Sequence, residues 1–479
     1  MFPEFFDSLS RDLIKMLFNA DDYNVIIKVG KSPNIKHFKA HLCLLRARSP
    51  YFYSALSNNW AKIEGNVIVF EKNNISPHTF QRILEYLYSG IMDFDQLQPT
   101  CLMDLLAAAD ELLLTELVEY SKEYLLEFHY KWILQFPFQV LNHTISHLDS
   151  CKDLRELGLN TICENPTAAL GNSAFLEINE PILISILQRD DLRIDEIDLW
   201  DYLIQWGIAY MKKHNHDISE RVSEWSYKEF SLLKSTLQNP ISFIKFRHIN
   251  PNEIPKRLKP FNKILPHNIL NDFENQSIKY KALIDSEIIK IKHAALVARW
   301  IGRKENENLS YRETPSHEFR LLLRGSRDGF SARKFHELCD YRGETVVLMK
   351  VAGTKEIIGG YNPVNWRGGF LGNWTKTNDS FIFFIDKDGN LKNSKISRIL
   401  PENSVMALFG ADVRGPCFGN RDLWMSNFNN LSKKCMSQKS FYEKSIIDSP
   451  KFDIEDYEVF QIIMGDKKSI HKEERKAPF

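Results

Sequence analysis

Hydrophobic positions recur along the first residues at three- and four-residue intervals. Phe2, Phe6, Leu9, Leu13, Met16 and Leu17 fall on one side of a helix over residues 2–18. A terminal helix this apolar must dock, either on its own core or on a partner chain. Asn24 to Val29 reads as a short buried strand, followed by a turn through Gly30 to Asn34. Phe38 to Tyr53 reads as helix-rich, and Val67 to Phe70 as a second strand. Pro77 suits the first turn of a helix carrying Phe80, Ile83, Leu84 and Leu87, which stops at Gly90. Leu102 to Phe128 predicts a helical pair buried through Leu105, Ala109, Leu112, Leu117, Tyr120, Tyr124 and Phe128.

Residues 130–240 are helical in pattern almost throughout. The best-defined helix starts near Asp195, whose carboxylate can cap exposed amides, while Asp198 suits the positive first turn. Ile197, Trp200, Leu203, Ile204 and Gly207 follow on one face, and no heptad persists, so a globular bundle is expected. Pro240, Pro251, Pro255, Pro260 and Pro266 then cluster with Lys256, Arg257, Lys259 and Lys263. Proline removes backbone donors and blocks helices, which predicts an extended basic linker.

After residue 295 the pattern becomes mostly β. TVVLMKV (345–351), Glu356–Ile358, SFIFFI (380–385), Val405–Phe409 and EVFQIIM (458–464) are short β-branched or aromatic runs. Glycines and turns such as Lys387-Asp388-Gly389-Asn390 separate them. A short helix capped by Ser331 places Phe335, Leu338 and Cys339 at helical spacing. Many short strands with glycine turns predict a sandwich or barrel-like β domain with a few helices. The last residues, KKSIHKEERKAPF, read as a frayed charged tail.

Composition narrows the function classes. The 479 residues predict roughly three domains, and 62 basic against 62 acidic residues give no net charge. That balance argues against a nucleic-acid binder. No apolar run reaches the roughly 18 residues of a membrane helix, and the N-terminus lacks the basic start of a signal peptide. Seven scattered cysteines with no CxxC read as reduced thiols of a cytoplasmic or nuclear protein.

Motif chemistry is sparse. Neither GxxxxGK[ST] nor GxGxxG occurs, and the run Gly368-Gly369-Phe370-Leu371-Gly372 lacks phosphate-loop spacing. His336-Glu337 does not continue as HExxH, and Asp386-x-Asp388-Gly389 lacks the later ligands of a calcium loop. His37 and His41 lie four apart without a further ligand pair. Ser326 and Asp328 within Gly325–Gly329 read as turn residues, not as a nucleophile elbow. No cofactor, metal or catalytic residue is expected.

Three blocks resemble known families. Asn24–Gly30, Phe38–Phe52, Ile83–Gly90 and Leu105–Asp110 are similar to a BTB/POZ domain over residues 5–128. Leu192-Arg193-Ile194-Asp195-Glu196 before Leu199-Trp200 resembles a BACK domain, giving a helical region over 129–240. Arg324–Phe330, Phe335-His336-x-x-Cys339-Asp340 and Glu356–Pro363 with Trp366 resemble a TLDc domain over 285–466. A Pro-rich basic linker (241–284) and a charged tail (467–479) complete the expected organisation. The fold implied is multidomain α+β: an α/β BTB domain, a helical BACK-like region and a β-sandwich-like TLDc domain with a few helices.

The resemblance also implies function. BTB and BACK domains are not catalytic, BTB domains dimerise, and many bind cullin scaffolds of ubiquitin ligases. TLDc domains are associated with oxidative-stress protection and with the vacuolar proton pump, without an accepted active site. The implied protein is therefore a non-catalytic, cytoplasmic or nuclear adaptor that forms a homodimer and recruits a partner, as a cullin substrate adaptor. A stress or proton-pump regulator without ligase role is the alternative, and an enzyme with its site in the TLDc domain is a third reading. Phe6, Leu9, Leu13 and Leu17 are the candidate dimer contacts, and Leu56, Trp60 and Lys62 the candidate cullin contacts. Gly325, Ser326, Asp328, Gly329, Gly359 and Gly360 are the candidate TLDc structural positions. Gly359 and Gly360 are expected at a tight reversal before Tyr361. Three positions depart from the family patterns. Asn24 replaces a frequent Asp and cannot make the buried charge pair of many BTB dimers. Lys62 stands where cullin adaptors often carry Glu, and Phe460 where TLDc domains often carry Trp.

Overall fold

The computed structural model describes residues 5–19, 21–57, 62–65, 67–144, 149–214, 218–219, 221–266, 283–305, 311–354, 356–386, 393–425 and 433–464. The chain divides into two compact units. The first comprises residues 1–192, 202–217 and 236–243, and the second residues 193–201, 218–235 and 244–479.

The first unit opens with helix α1 (Phe6–Asn19) and a four-stranded sheet in the order β2-β1-β4-β3. β1 (Val25–Val29) pairs antiparallel with β2 (Lys36–Ala40) and parallel with β4 (Val67–Lys72), whose outer neighbour is β3 (Lys62–Glu64). Val25, Ile27 and Val29 alternate into the core, as a strand with one well-buried face requires. The parallel pairing demands a crossover, supplied in part by helices α2 (Leu42–Arg48) and α3 (Pro50–Ala55). Residues 36–40 are therefore a strand, not the start of a helix-rich stretch; pairing with β1 overrides their weak local pattern.

Helix α4 (Pro77–Ser89) starts as its sequence predicts. The Ser76 hydroxyl accepts from the Thr79 amide at 3.1 Å, Pro77 fills the first turn, and Gly90 ends the helix at φ +72°. Phe52 and Phe80 meet edge to face at the centre of this core. Helices α5 (Pro99–Glu111) and α6 (Thr115–Phe128) form the expected pair. Short helices follow, including Lys152–Glu164 and Glu180–Leu187, the latter capped by Asn179. The helix Glu196–Lys213 contributes its C-terminal part here, where buried Trp206 donates to the Ile178 carbonyl at 3.0 Å.

The second unit holds the rest of that helix and residues 244–264. This stretch is not an extended linker. It forms four short helices of 3 to 6 residues with Phe246, Leu258 and Ile264 buried. Trp200 packs against Phe246 and Phe261, and Arg257 bridges Asp198 and Asp201. Proline blocks long helices yet suits a first turn, so short helices survive between the prolines. The apolar residues among them supply a core that a solvated linker would lack.

The β-rich part is one continuous sheet that folds over itself. Strand β15 (Lys451–Met464) links its two halves. Its first residues pair with β14 (Lys434–Met436), continuing to β13 (Leu423–Met425), β12 (Cys417–Phe418), β11 (Leu408–Gly410) and β8 (Asn373–Thr375). Its remainder pairs with β5 (His317–Arg324) on one side. On the other side lies β6 (Thr345–Val351), followed by β7 (Ile357–Asn362), β9 (Phe381–Ile385) and β10 (Lys395–Arg398).

The β6–β7–β9 layer is buried on both faces, which explains its unbroken apolar runs. Val347, Met349, Ile358 and Ile382 face Leu408, Phe418 and Leu423 of the other half. Val346, Leu348, Phe381 and Phe383 face the helix Ile291–Ile301, where Trp300 sits 5.4 Å from the Phe383 ring. Gly359 and Gly360 lie inside β7, paired with Leu348 and Val347, so no reversal occurs there. They are needed for close approach. A Cβ on Gly360 would stand 2.5 Å from Phe418, and one on Gly359 would stand 2.4 Å from the Val347 carbonyl oxygen.

Candidate functional site

Three groups of residues carry the candidate chemistry and contacts. The first is the turn after β5. Buried Glu458 on β15 accepts from Arg324 Nε at 2.6 Å, from the Ser286 hydroxyl and from the Glu287 amide. Arg324 also donates to the Asp285 carboxylate and carbonyl, both at 3.0 Å. Asp328 accepts the Arg324 amide at 2.9 Å, and Ser326 donates from both amide and hydroxyl to Asp456. Gly325 leaves no room for a Cβ, with Asp456, Phe330 and Tyr457 atoms all at 2.7 Å, and Gly329 adopts φ +96°. Ser326 thus spends its hydroxyl on a carboxylate, and the cluster ties residues 285–287 to β5 and β15. Charged pairs this well hydrogen-bonded fix geometry.

The second group lines a cavity of about 200 Å³ in the second unit. Glu196, at the start of its helix, receives Arg312 through Nε at 2.6 Å and Nη2 at 3.0 Å, with both side chains almost fully buried. The Lys245 amide donates to Glu196 at 3.0 Å, and its ammonium to the Arg312 carbonyl at 2.7 Å. Asp195 stands at the same helix end, and its carboxylate pairs with Lys290. Burial pulls the Lys292 amine down to about 8 despite the opposing Asp195 carboxylate, and Lys292 contacts the Tyr311 hydroxyl. Burial, helped by Lys245 and Arg312, pulls His248 down to about 3. The charged groups named here are satisfied by one another, which suits a latch between segments. Sequence reasoning noted Asp195 and Glu196 but missed Arg312 and Lys292, which sit in stretches without periodicity.

The third group lies on the first unit. Phe6 and Leu9 on α1 are exposed and Leu13 is half-buried, while Ile14 and Leu17 pack on the core. The expected dimer contacts thus divide, with Leu17 turned inward. Leu56 is fully buried beside Phe52 in the core, so it is not a surface cullin contact. Trp60 lies outside the described residues, as does the Lys62 side chain; the Lys62 backbone pairs with Val69 in β3. Asn24 has a local task, its Oδ1 accepting the Leu42 amide at 2.8 Å at the start of α2. His41 is buried against the Tyr88 hydroxyl at 2.8 Å and His37 is exposed on β2, so the two do not converge. Among the described residues, no three His, Cys, Asp or Glu side chains are grouped to hold a metal ion. No described helix is long and apolar enough to cross a membrane.

Family models match the chain in series. A BTB/POZ domain matches residues 14–129, a domain described as BTB And C-terminal Kelch matches 138–224, and a TLDc domain matches 285–463. The chain carries BTB/POZ, BACK and TLDc domains. Mouse BTB/POZ domain-containing protein 9 is 24% identical over 187 residues, covering 39% of this chain and 30% of that protein. Trishanku of Dictyostelium discoideum is 27% identical over 191 residues, covering 38% and 26%. Kelch-like protein 25 of Xenopus laevis is 24% identical over 173 residues, covering 36% and 28%. The matched part thus spans under a third of these relatives. Among solved structures, the BTB domain of zebrafish PATZ1 aligns at 25% identity and a TM-score of 0.21, covering 26% of this chain and 95% of that one.

Proposed function

We propose that this BTB–BACK–TLDc chain is a non-catalytic adaptor. Its BTB domain joins two copies through α1, and its TLDc domain recruits the partner. The observation that supports this reading is the incomplete cover of the apolar stripe on α1. Ile14 and Leu17, towards its C-terminal end, pack on its own core, while Phe6 and Leu9, on the same stripe nearer the N-terminus, stay exposed. Covering each such side chain is worth about 1.5–3 kcal/mol, and a second copy presenting the same stripe is the commonest way to cover it. Light scattering on the full chain tests the reading. A dimer at micromolar concentration that becomes a monomer with Leu9→Asp is expected; a monomeric wild type would overturn it.

A role as cullin substrate adaptor is the finer form of the proposal, supported by the BTB–BACK pairing of domains. With Leu56 buried, that contact would rest on the segment around Trp60 and Lys62. Calorimetry of the full chain against a cullin N-terminal region tests it. Heat that is lost with Trp60→Ala and increased with Lys62→Glu is expected. No heat from wild type or Lys62→Glu would favour a stress or proton-pump regulator recruited through the TLDc domain.

A further inference from the structure

The glycine run that lacks phosphate-loop spacing forms a distinct surface feature. It leaves buried Trp366, which bridges to Asp340, and enters β8 at Asn373. Its base is pinned. The Gly368 amide donates to Asp340 at 2.9 Å, the Gly372 amide to the Gly369 carbonyl at 3.1 Å, and the Asp412 amide to the same carbonyl at 3.3 Å. Gly372 adopts φ +77°, and a Cβ there would meet the Phe409 ring at 2.3 Å. Asp340 is itself held by His336, whose other ring nitrogen faces the Ala411 and Arg414 carbonyls. The 411–414 loop therefore lies beside the glycine run.

At the tip of this braced loop, Phe370 is 93% exposed and Leu371 91% exposed. A slack loop would fold such residues back onto the protein, but the glycine-fixed turn holds this pair outward. Val413 and Tyr341 are exposed on the adjoining segments, and Trp374, at 40%, is the least exposed of the group. Exposed Arg367 lies over the Tyr341 ring at 5.9 Å, and half-buried Arg414, which follows Val413, lies over the Trp424 ring at 4.8 Å. Asp412 is the exposed acid on these loops.

The exposed set combines a wholly apolar tip with valine, tyrosine and tryptophan side chains and arginines on the flanking segments. It matches the composition of a bilayer interface, where acyl chains give way to a zone favouring Trp and Tyr and then to phosphates. A protein pocket accepting Phe370 and Leu371 would engage the tip alone and leave the surrounding set unexplained. We propose that this loop inserts into the interfacial zone of an anionic lipid bilayer, with Arg367 and Arg414 meeting the headgroups. The inference goes beyond the adaptor reading and uses neither α1 nor the cullin segment.

Co-sedimentation of the full chain with vesicles tests it, using phosphatidylcholine alone and phosphatidylcholine mixed with phosphatidylserine. The wild type is expected to sediment with the mixed vesicles. A Phe370→Ser, Leu371→Ser double variant should bind about tenfold more weakly or worse. Its melting temperature should not change, because so little of either side chain is buried. Arg367→Glu should weaken binding to the mixed vesicles more than to the neutral ones. A wild type that stays in the supernatant, as expected of a loop that docks into a protein pocket, would overturn the proposal. So would a double variant that sediments equally well.

Discussion

Replacing Gly360 by alanine adds one methyl group at a close approach between the two halves of the sheet. The new Cβ would lie 2.5 Å from Phe418 Cζ and 2.7 Å from two further ring carbons. Non-bonded carbons rest about 3.5–4 Å apart, so ring or strand must give way by about 1 Å. Phe418 is fully buried and set edge-on to Trp366 at 5.5 Å and 89°, which leaves it nowhere to go. Overpacking of this kind costs about 1–3 kcal/mol, and Gly360→Val should cost more. In a domain of this size the alanine variant should melt about 2–12 °C lower. The diagnostic is rescue. Phe418→Leu alone opens a cavity, but combined with Gly360→Ala it vacates the space the methyl needs. The double variant should therefore lose less than the sum of the singles, by about 0.5–3 kcal/mol. Gly359→Ala should behave differently, because one obstacle is the Val347 carbonyl at 2.4 Å, fixed by the β6–β7 ladder. Phe383→Leu should not rescue it. Scanning calorimetry of the full chain, following the transition of the β-rich unit, reads all of these variants. An unchanged midpoint for Gly360→Ala, or strict additivity with Phe418→Leu, would refute the reasoning.

Glu196→Gln should destabilise the second unit by about 3–5 kcal/mol by removing the carboxylate charge that faces buried Arg312, whereas Glu196→Leu with Arg312→Met should lose less than Glu196→Leu or Arg312→Met alone; thermal melting of the four variants checks the ranking. His293 is pulled by burial down to about 3, and its Nδ1 accepts the Lys290 amide while Nε2 has no partner among the described residues. Between about 6.5 and 3 the unfolded chain binds this proton and the folded chain does not, so stability is complete above 6.5 and falls with acidification by at most about 1.4 kcal/mol per pH unit. His293→Gln should flatten that slope in urea titrations between neutral and mildly acidic pH, and a parallel slope would count against the assignment. Asp422 is buried and accepts the amides of Ser440, Phe441 and Tyr442, so Asp422→Asn should lower the melting midpoint through a loss of about 1–3 kcal/mol.

What the sequence revealed depended on whether the governing contact was local. Helix α4 could be read outright because Ser76, Pro77 and Gly90 act on their own neighbours. The runs TVVLMKV and SFIFFI declared buried strands, but an unbroken apolar run does not say what covers each face. The glycines of β7 stand out in the sequence and suggest a turn, whereas the structure uses them to admit Phe418 and Phe383 from opposite sides. Strand β2, KHFKA, has only two inward residues and owes its conformation to β1. Residues 244–264 misled for a related reason. Proline density signals the absence of long helices, not the absence of packing, and the better guide was the apolar residue recurring between prolines. The cavity shows the limit most clearly. Asp195 and Glu196 could be recognised as a helix start, yet what holds Glu196 is an arginine 116 residues away. A pairing over that separation leaves no periodicity, spacing or cap in either segment. Such a pair appears in a sequence as two ordinary charges, and only burial reveals that each needs the other.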